Sequence, residues 1–368
     1  MQARSNDGSV AEVLRKINLS THNFTAHQEK TLRALSNCRT AALGGHVDAC
    51  DGCRNLVISY NSCRNRHCPQ CQGHKREEWI QKREQELLPC SYYHVVFTLP
   101  EELNGLAISQ PALLYKTLFD ATWATLNQFG KIEQIGLGMI AILHTWGQNL
   151  SLHPHLHCIV PGGGIDQNGK WKKKVRTDKY LFCVKALSKI FRAKFVGLLR
   201  ASGIKDQDLM DQLFTKNWVV YAKRPFGGPK QVIEYLGRYT HKVAISNHRI
   251  KEVTDQQVRF EYKDYRKGGE KKEMTLANTE FVRRFSMHIL PKRFVRIRHY
   301  GILSSSWKRG KLQYLQADLN IRTPEAKPKT LLNKCRCCKQ GNLVTIALFG
   351  QRGPPQEYLF VIQPLSAK

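Results

Sequence analysis

The sequence predicts an α+β protein that begins with a helical, metal-binding part and continues as a sheet with helices packed on it. Three observations predict this fold class. Apolar residues recur at helical spacing over 10–36, and six of the twelve cysteines lie within 38–71. From residue 92 onward, short apolar runs alternate with longer amphipathic stretches, as in proteins whose helices cover a sheet.

The elements are assigned in chain order from the spacing of apolar residues and the positions of proline and glycine. Residues 10–36 predict two short helices broken near 18–23, and 72–88 predict a polar helix that Pro89 ends. The later stretches predict strands over 92–99, 138–146, 156–160 and 217–222, helices over 111–129, 185–200 and 229–240, a loop over 147–155, and turns at 166–169 and at Gly268–Gly269.

Charge narrows the class of partner. The 368 residues include 58 Lys and Arg against 29 Asp and Glu, a formal net charge of +29. Such a field gathers polyanions, of which nucleic acid is the commonest, although a generally basic surface or anionic lipid would give the same balance. No apolar run approaches the ~18–20 residues of a membrane span, and the N-terminus lacks a secretory apolar stretch. We therefore expect a soluble cytoplasmic protein associated with the nucleoid.

The cysteines between residues 38 and 71 have the spacing of zinc ligands. Clustered cysteines in a cytosolic chain indicate metal rather than disulfides. Two C-x2-C knuckles, at Cys50/Cys53 and Cys68/Cys71, are predicted to close one tetrahedral structural zinc site. Four remaining residues could hold a second zinc ion, or could be buried cysteines and phosphate-contacting histidines: Cys38, His46, Cys63 and His67.

A third knuckle lies near the end of the chain, at Cys335 and Cys338 with Cys337 between them. No partner pair is near it in sequence. A metal site there would need two more ligands, from elsewhere in the chain or from another chain. Reduced surface thiols are the alternative interpretation.

Two histidines in the middle of the chain are candidates for a different metal site. His155 and His157 are two residues apart in an apolar strand, so their imidazoles point to the same face. Two nitrogens do not complete the coordination of a divalent ion, and Gln148 and His144 are upstream candidates for a further ligand. The alternative interpretation is that His155 and His157 are two surface histidines that bind no metal.

Two tyrosines lie on the helix predicted over 229–240. Tyr235 and Tyr239 are four residues apart and share one helix face, which would also suit ordinary core packing. Gly237 between them is costly in a helix but permits close approach of another backbone. Arg238 and Lys242 add positive charge nearby. A phenol, with a usual pKa near 10, needs such help to act as a nucleophile.

Three strings together resemble one family. CRTAALGGHVDACDGC…YNSCRNRHCPQCQ, HTWGQNLSLHPHLHCIVPGG and YLGRYTHKVAISN are similar to the rolling-circle insertion-sequence transposases of the HUH two-tyrosine type, which join a transposase zinc-binding domain to a nuclease domain. The resemblance covers roughly residues 10–310. It implies a ferredoxin-like HUH nuclease sheet with the histidines on a central strand. We accordingly expect three parts: a helical and zinc-binding part over 1–88, a catalytic domain over 89–322, and a tail over 323–368.

The resemblance also implies roles for single residues. His155 and His157 would hold catalytic Mg²⁺ or Mn²⁺, with Gln148 as third ligand and His144 or His153 in competition. Tyr235 and Tyr239 would be the nucleophiles. By its position, Lys242 is our candidate for stabilising phenolate or phosphate charge, unless it is simply a solvated lysine.

Several basic and aromatic residues are expected to bind DNA. The basic candidates are Arg64, Arg66, Lys172, Lys173, Lys174, Arg238, Arg283, Arg284 and Arg293. The aromatic candidates for stacking on bases, or for ordinary packing, are Trp171, Phe260, Tyr262 and Tyr265.

The functional expectation is a DNA transposase that nicks and joins single-stranded transposon ends and target DNA through a covalent 5′-phosphotyrosine intermediate, with metal assistance. A plasmid replication initiator or conjugative nickase would use the same chemistry, and the zinc segment favours the transposase. A non-enzymatic zinc-dependent DNA-binding regulator is the alternative from another class.

Overall fold

The computed structural model describes residues 8–71, 79–88, 90–173, 181–223, 231–232, 235, 237, 242–320 and 334–361. Residues 79–84 are helical, as are the described residues from 231 to 237. The labelled helices are α1 (Val10–Arg15), α2 (Ala26–Ser36), α3 (Asn104–Ser109), α4 (Pro111–Ile132), α5 (Val184–Ala201), α6 (Gln207–Thr215), α7 (Asn278–Ser286), α8 (Ser305–Lys308) and α9 (Lys311–Asp318).

Among the residues that the structure describes, the strands pair antiparallel, in four sheets. They are β1 (Gly45–Cys50), β2 (Leu56–Tyr60), β3 (Tyr92–Thr98), β4 (Gly138–Trp146), β5 (Leu152–Pro161), β6 (Gly163–Ile165), β7 (Trp171–Lys173), β8 (Val220–Ala222), β9 (Ile250–Val253), β10 (Gln257–Asp264), β11 (Glu270–Ala277), β12 (Ile297–Gly301) and β13 (Leu343–Phe349). This mixture of antiparallel sheets and packed helices confirms the α+β prediction.

The chain divides into two compact units, each made of separated segments. One unit comprises Met1–Glu78, His241–Ile289 and Lys327–Lys368, and the other comprises Trp79–Thr240 and Leu290–Ala326. This division differs from the consecutive parts expected over 1–88, 89–322 and 323–368. Strand pairing explains the difference, because β13 of the tail pairs along β1 of the N-terminal segment.

The second unit is built on a five-stranded sheet in the order β12-β4-β5-β3-β8. In chain order β3, α4, β4, β5, α5 and β8 make the βαββαβ arrangement of a ferredoxin-like fold, and β12 adds a strand beside β4. The third position in this order belongs to β5, so the strand with the H-x-H pair is central, as the resemblance implies.

Both faces of this sheet are buried, and alternate residues of each strand serve the two faces. Met139, Ala141 and Leu143 of β4 join the core that α4 and α5 cover. Ile140 and Ile142 join a second core on the opposite face, which includes Val232 from the helix that also carries Tyr235. The apolar pattern on both faces therefore determines which side each histidine faces.

Strand β5 corrects one expectation. It runs from Leu152 to Pro161, so His153 and His155, assigned to a loop over 147–155, lie within the strand. The β6–β7 hairpin has its turn at the expected 166–169. The missed elements include α6, which Asp206 caps by accepting from the Leu209 N–H, and β12, whose basic side chains conceal its strand pattern.

The first unit has two three-stranded sheets, β13-β1-β2 and β11-β10-β9. The β10–β11 hairpin turns at Gly268 and Gly269, both with positive φ, as expected. Helix α2 begins with a capping box between Thr25 and Gln28, and Gln28 Nε2 also donates to the Ser286 carbonyl at the end of α7. Phe260, a stacking candidate, is instead fully buried against Phe281, with ring centroids 5.8 Å apart.

None of the helices in the described ranges has the length and apolar composition required to cross a membrane.

Candidate active site

Three histidines form a cluster on the face of the large sheet that also buries Ile140 and Ile142. Strand pairing places His144 of β4 opposite His155 of β5 and places His157 opposite Ile142. One ring nitrogen from each of His144, His155 and His157 lies within 4.8 Å of the others. His144 and His157 are buried and His155 is half-buried, so the cluster has one accessible side.

Hydrogen bonds orient two of these rings. His155 Nδ1 lies 2.6 Å from the His153 carbonyl oxygen. A carbonyl only accepts, so this nitrogen carries the proton and Nε2 is the acceptor nitrogen of the ring. His157 Nδ1 lies 2.8 Å from Nε2 of His94, which lies on the adjacent strand β3.

His94 connects this cluster to Tyr235. Its imidazole is only 2% exposed and stacks on His157, with centroids 5.1 Å apart and planes 11° apart. Its other nitrogen, Nδ1, lies 3.2 Å from the Tyr235 hydroxyl. Burial, and secondly the charge of Lys223, lower the pKa of His94 to about 3, so the ring is neutral near pH 7. A phenol and two imidazoles are thus joined by two hydrogen bonds.

Lys223 provides the positive charge beside the tyrosine. It directly follows β8, and its Nζ lies 5.3 Å from the centroid of the Tyr235 ring. Sequence reasoning missed both Lys223 and His94. The signal for His94 was a polar residue in the apolar strand YYHVVFTL, on the same alternation as the buried Tyr92. Lys223 had no comparable signal, because its proximity depends on β8 pairing with β3.

The remaining candidates for this site are two described residues and three residues outside the described ranges. Gln148 is half-buried in the loop between β4 and β5, and its role as third ligand stays a prediction. Lys242 is an exposed residue of the first unit, and its role too stays a prediction. Three candidates lie outside the described residues: Tyr239, Arg238 and Lys174.

The basic candidates differ in whether a nearby carboxylate already neutralises their positive charge. Arg283 and Arg284 both bind the carboxylate of Glu280, at 2.6 and 2.7 Å. The hydrogen bond from Arg283, and to a smaller extent the one from Arg284, lowers the pKa of Glu280 to about 2. Lys172, Lys173 and Arg293 are exposed. The DNA-binding role of the basic set stays a prediction.

Eight of the twelve cysteines form two groups of four, and these groups differ from the expected ones. In one group, Cys38, Cys63, Cys68 and Cys71 bring their sulfur atoms within 4.8 Å of one another. In the other, Cys50 and Cys53 lie with Cys335 and Cys338. The two N-terminal knuckles therefore do not share a site.

The β1–β2 hairpin explains this separation. Cys50 and Cys53 lie at its turn, whereas Cys38 precedes β1 and Cys63 follows β2 at the opposite end. Strands of this length span about 15–20 Å. Neither His46 nor His67 belongs to a cysteine group: His46 Nε2 lies 3.3 Å from Asp48 Oδ2, and His67 Nε2 accepts from Arg66 Nε at 3.3 Å.

Comparison with known proteins identifies the family. The family model "Transposase zinc-binding domain" matches residues 10–99, and the model "Putative transposase" (Y2_Tnp) matches residues 138–311. No solved structure matches the chain. The chain is 43% identical over 370 residues to "Putative transposase y4qJ" of Sinorhizobium fredii, which covers 91% of this chain and 93% of that relative.

A more distant relative is named for its mobile element. The chain is 28% identical over 313 residues to "Transposase for insertion sequence element IS801" of Pseudomonas savastanoi pv. phaseolicola, covering 82% of this chain and 76% of that protein. Both family models and both relatives carry the transposase name. The chain therefore belongs to the rolling-circle insertion-sequence transposases of the IS91 type, with an N-terminal transposase zinc-binding domain.

Proposed function

We propose that this transposase cleaves single-stranded DNA with Tyr235 beside a metal ion held by the histidine cluster. The observation that carries the proposal is the chain of two hydrogen bonds from Tyr235 through His94 to His157. If Tyr235 only packed in the core, no hydrogen-bonded connection from its hydroxyl to the three clustered imidazoles would be needed. The arrangement instead puts a nucleophile next to potential ligands.

The residues present fit a divalent ion. Neutral imidazole nitrogens from His144, His155 and His157 would form one side of a coordination shell, and open positions would remain for phosphate oxygens and water. Nitrogen donors suit Mn²⁺ better than Mg²⁺, which prefers an all-oxygen shell. When bound, such an ion polarises the scissile phosphate and holds it in line for attack.

The chain's own residues would stabilise the charge of the attacking phenol. Tyr235 Oη loses its proton to solvent and forms a bond to phosphorus, the P–O3′ bond breaks, and the departing 3′ oxygen takes up a proton from solvent. The products are a 5′-phosphotyrosine and a free 3′ hydroxyl. Lys223, with its Nζ near the phenol ring, favours negative charge on the phenol oxygen.

The phosphotyrosine retains the free energy of the broken phosphodiester, so a 3′ hydroxyl can later attack it and rejoin the strand without ATP. Tyr239 is proposed as a second nucleophile, on the family resemblance. Exposed cations such as Lys172, Lys173 and Arg293 would hold the backbone of transposon ends and target. The relatives' names favour a transposase over a replication initiator or conjugative nickase with the same chemistry.

Replacing the proposed nucleophile tests the reaction. We expect Tyr235→Phe to lower the yield of covalent protein–DNA adduct by more than about 100-fold, since the attacking oxygen is removed. The assay mixes purified protein, Mn²⁺ and labelled single-stranded oligonucleotides from the element ends, and mass spectrometry maps the modified residue. Tyr221→Phe, which alters an exposed tyrosine of β8, is the matched control and should keep the adduct. A Tyr235→Phe chain that forms as much adduct as the wild-type chain would contradict the mechanism, and a wild-type chain that forms none would indicate a DNA-binding regulator.

The third metal ligand can be tested without activity. We expect His144→Ala to weaken Mn²⁺ binding at least about tenfold, measured by calorimetry, because it removes one of three clustered nitrogens. If His144 is the third ligand, Gln148→Ala leaves all three nitrogens in place and should change the affinity by less than about twofold. The reverse order of the two effects would assign the third ligand to Gln148.

A further inference from the structure

We propose a structural zinc site that joins the two ends of the chain, made by Cys50, Cys53, Cys335 and Cys338. The matched zinc-binding domain spans residues 10–99, so Cys335 and Cys338 lie far outside it. The site is separate from the group of Cys38, Cys63, Cys68 and Cys71, which lies wholly within that domain. It also does not depend on the tyrosine chemistry proposed above.

The sulfur positions fit zinc. Cys50 Sγ lies 3.7 Å from Cys338 Sγ, and Cys53 Sγ lies 3.7 Å from Cys335 Sγ. Four sulfurs placed tetrahedrally at the usual Zn–S distance of about 2.3 Å are about 3.8 Å apart. A disulfide would need about 2.05 Å, and all twelve cysteines are free.

Backbone groups around the sulfurs favour the thiolate form that zinc requires. The Cys53 N–H donates to Cys50 Sγ at 3.4 Å, and the Gly341 N–H donates to Cys338 Sγ at 3.3 Å. Hydrogen bonds to the charged form of a group stabilise that form. Each knuckle thus has a similar turn, with an N–H directed at its own sulfur.

The two knuckles are also fastened to each other. The Asp51 carboxylate accepts from the Asn342 backbone N–H at 2.7 Å and from its side chain at 3.3 Å. Gly341 allows this approach, because a Cβ there would lie 2.4 Å from Cys50 Sγ. From this point β13 runs antiparallel along β1, from Leu343 opposite Cys50 to Phe349 opposite Gly45.

The site would therefore make docking of the C-terminal strand depend on metal. Zinc would close a contact between residues 282 apart in sequence, at the end of the β1–β2 hairpin opposite to the first cysteine group. The tail is then a permanent third strand of the zinc-binding sheet rather than an appendage with surface thiols.

Metal content tests this site directly. We expect elemental analysis of the purified full chain, combined with zinc X-ray absorption, to show two zinc ions per chain in all-sulfur shells, and Cys335→Ser with Cys338→Ser to remove one. Cys337→Ser is the matched control, since Cys337 is exposed between the two ligands and belongs to neither group. Two zinc–sulfur sites in the double variant would overturn the proposal.

A measurement on the wild-type chain covers the case in which the double variant fails to fold. Cys335 and Cys338 should resist alkylation until a chelator removes zinc, and Cys337 should react throughout. Equal reactivity of Cys335, Cys337 and Cys338 before chelation would also overturn the proposal.

We also propose, on the basis of the proposed function, that His94 is a positioning residue that couples metal binding to Tyr235. If His157 Nε2 holds a metal, the proton of its neutral ring must be on Nδ1, and His157 then donates to His94 Nε2. Because His94 Nε2 accepts this hydrogen bond, the proton of the ring is on Nδ1, which donates to the Tyr235 oxygen.

Ligation at His157 therefore sets the direction of both hydrogen bonds. The Tyr235 oxygen becomes an acceptor, which favours the negative charge it carries on the way to attack. In the reverse direction, Tyr235 would donate its hydrogen bond to His94, which would then act as a base for the phenol and would not stabilise the phenolate. A metal ligand and a nucleophile on different elements are coupled in this way through one buried side chain.

His94→Leu should weaken Mn²⁺ binding about tenfold and should also slow adduct formation when Mn²⁺ is saturating, because both hydrogen bonds are lost. His94→Gln, whose amide has one acceptor and one donor group, should restore part of each. His299→Leu, which removes another histidine of the same sheet, controls for general destabilisation.

Unchanged Mn²⁺ affinity and rate in His94→Leu, or equal losses in His299→Leu, would overturn the role. The two measurements, adduct formation and Mn²⁺ affinity, distinguish a failure of this role from a failure of the proposed function. If the adduct does not require Tyr235 the proposed function fails, while Mn²⁺ affinity still reports on the bond between His94 and His157.

Discussion

The antiparallel register of β4, β5 and β3 is the constraint on which the site depends. It places His144 opposite His155 and sets His157 beside the strand that carries His94. A slip of one residue would turn every side chain of a strand to the other face. Such a slip would bury the imidazoles among the side chains beneath α4 and α5, so the apolar cores on the two faces determine on which face the polar cluster lies.

Pairing between segments that are far apart in sequence also organises the zinc-binding part. A short hairpin holds its two ends too far apart for one metal ion, so the cysteines at each end need separate partners. At one end the partners come from the flanking segments. At the other they come from the tail, which pairs along β1 as β13. Strand pairing and sulfur placement therefore support each other.

Much of the architecture could be predicted because it depends on local pattern. Alternation predicted β3 and β4, helical spacing predicted α4 and α5, and glycines predicted the β10–β11 turn. The position of His155 and His157 on one face of the same strand followed from strand geometry alone. His94, Lys223 and the cysteine grouping could not be predicted, because each depends on which distant segments become neighbours. Proximity in sequence misled most clearly for Cys50/Cys53 and Cys68/Cys71.

The central claim is that Tyr235 is linked through His94 to a metal-binding histidine cluster. Anomalous diffraction at the manganese edge, from crystals of the wild-type chain grown with Mn²⁺, tests it most directly. The account predicts a peak about 2 Å from nitrogens of His144, His155 and His157, with His94 in hydrogen-bond contact with both His157 and Tyr235. A peak held by Gln148 and His153, with Tyr235 turned away from His94, would contradict it.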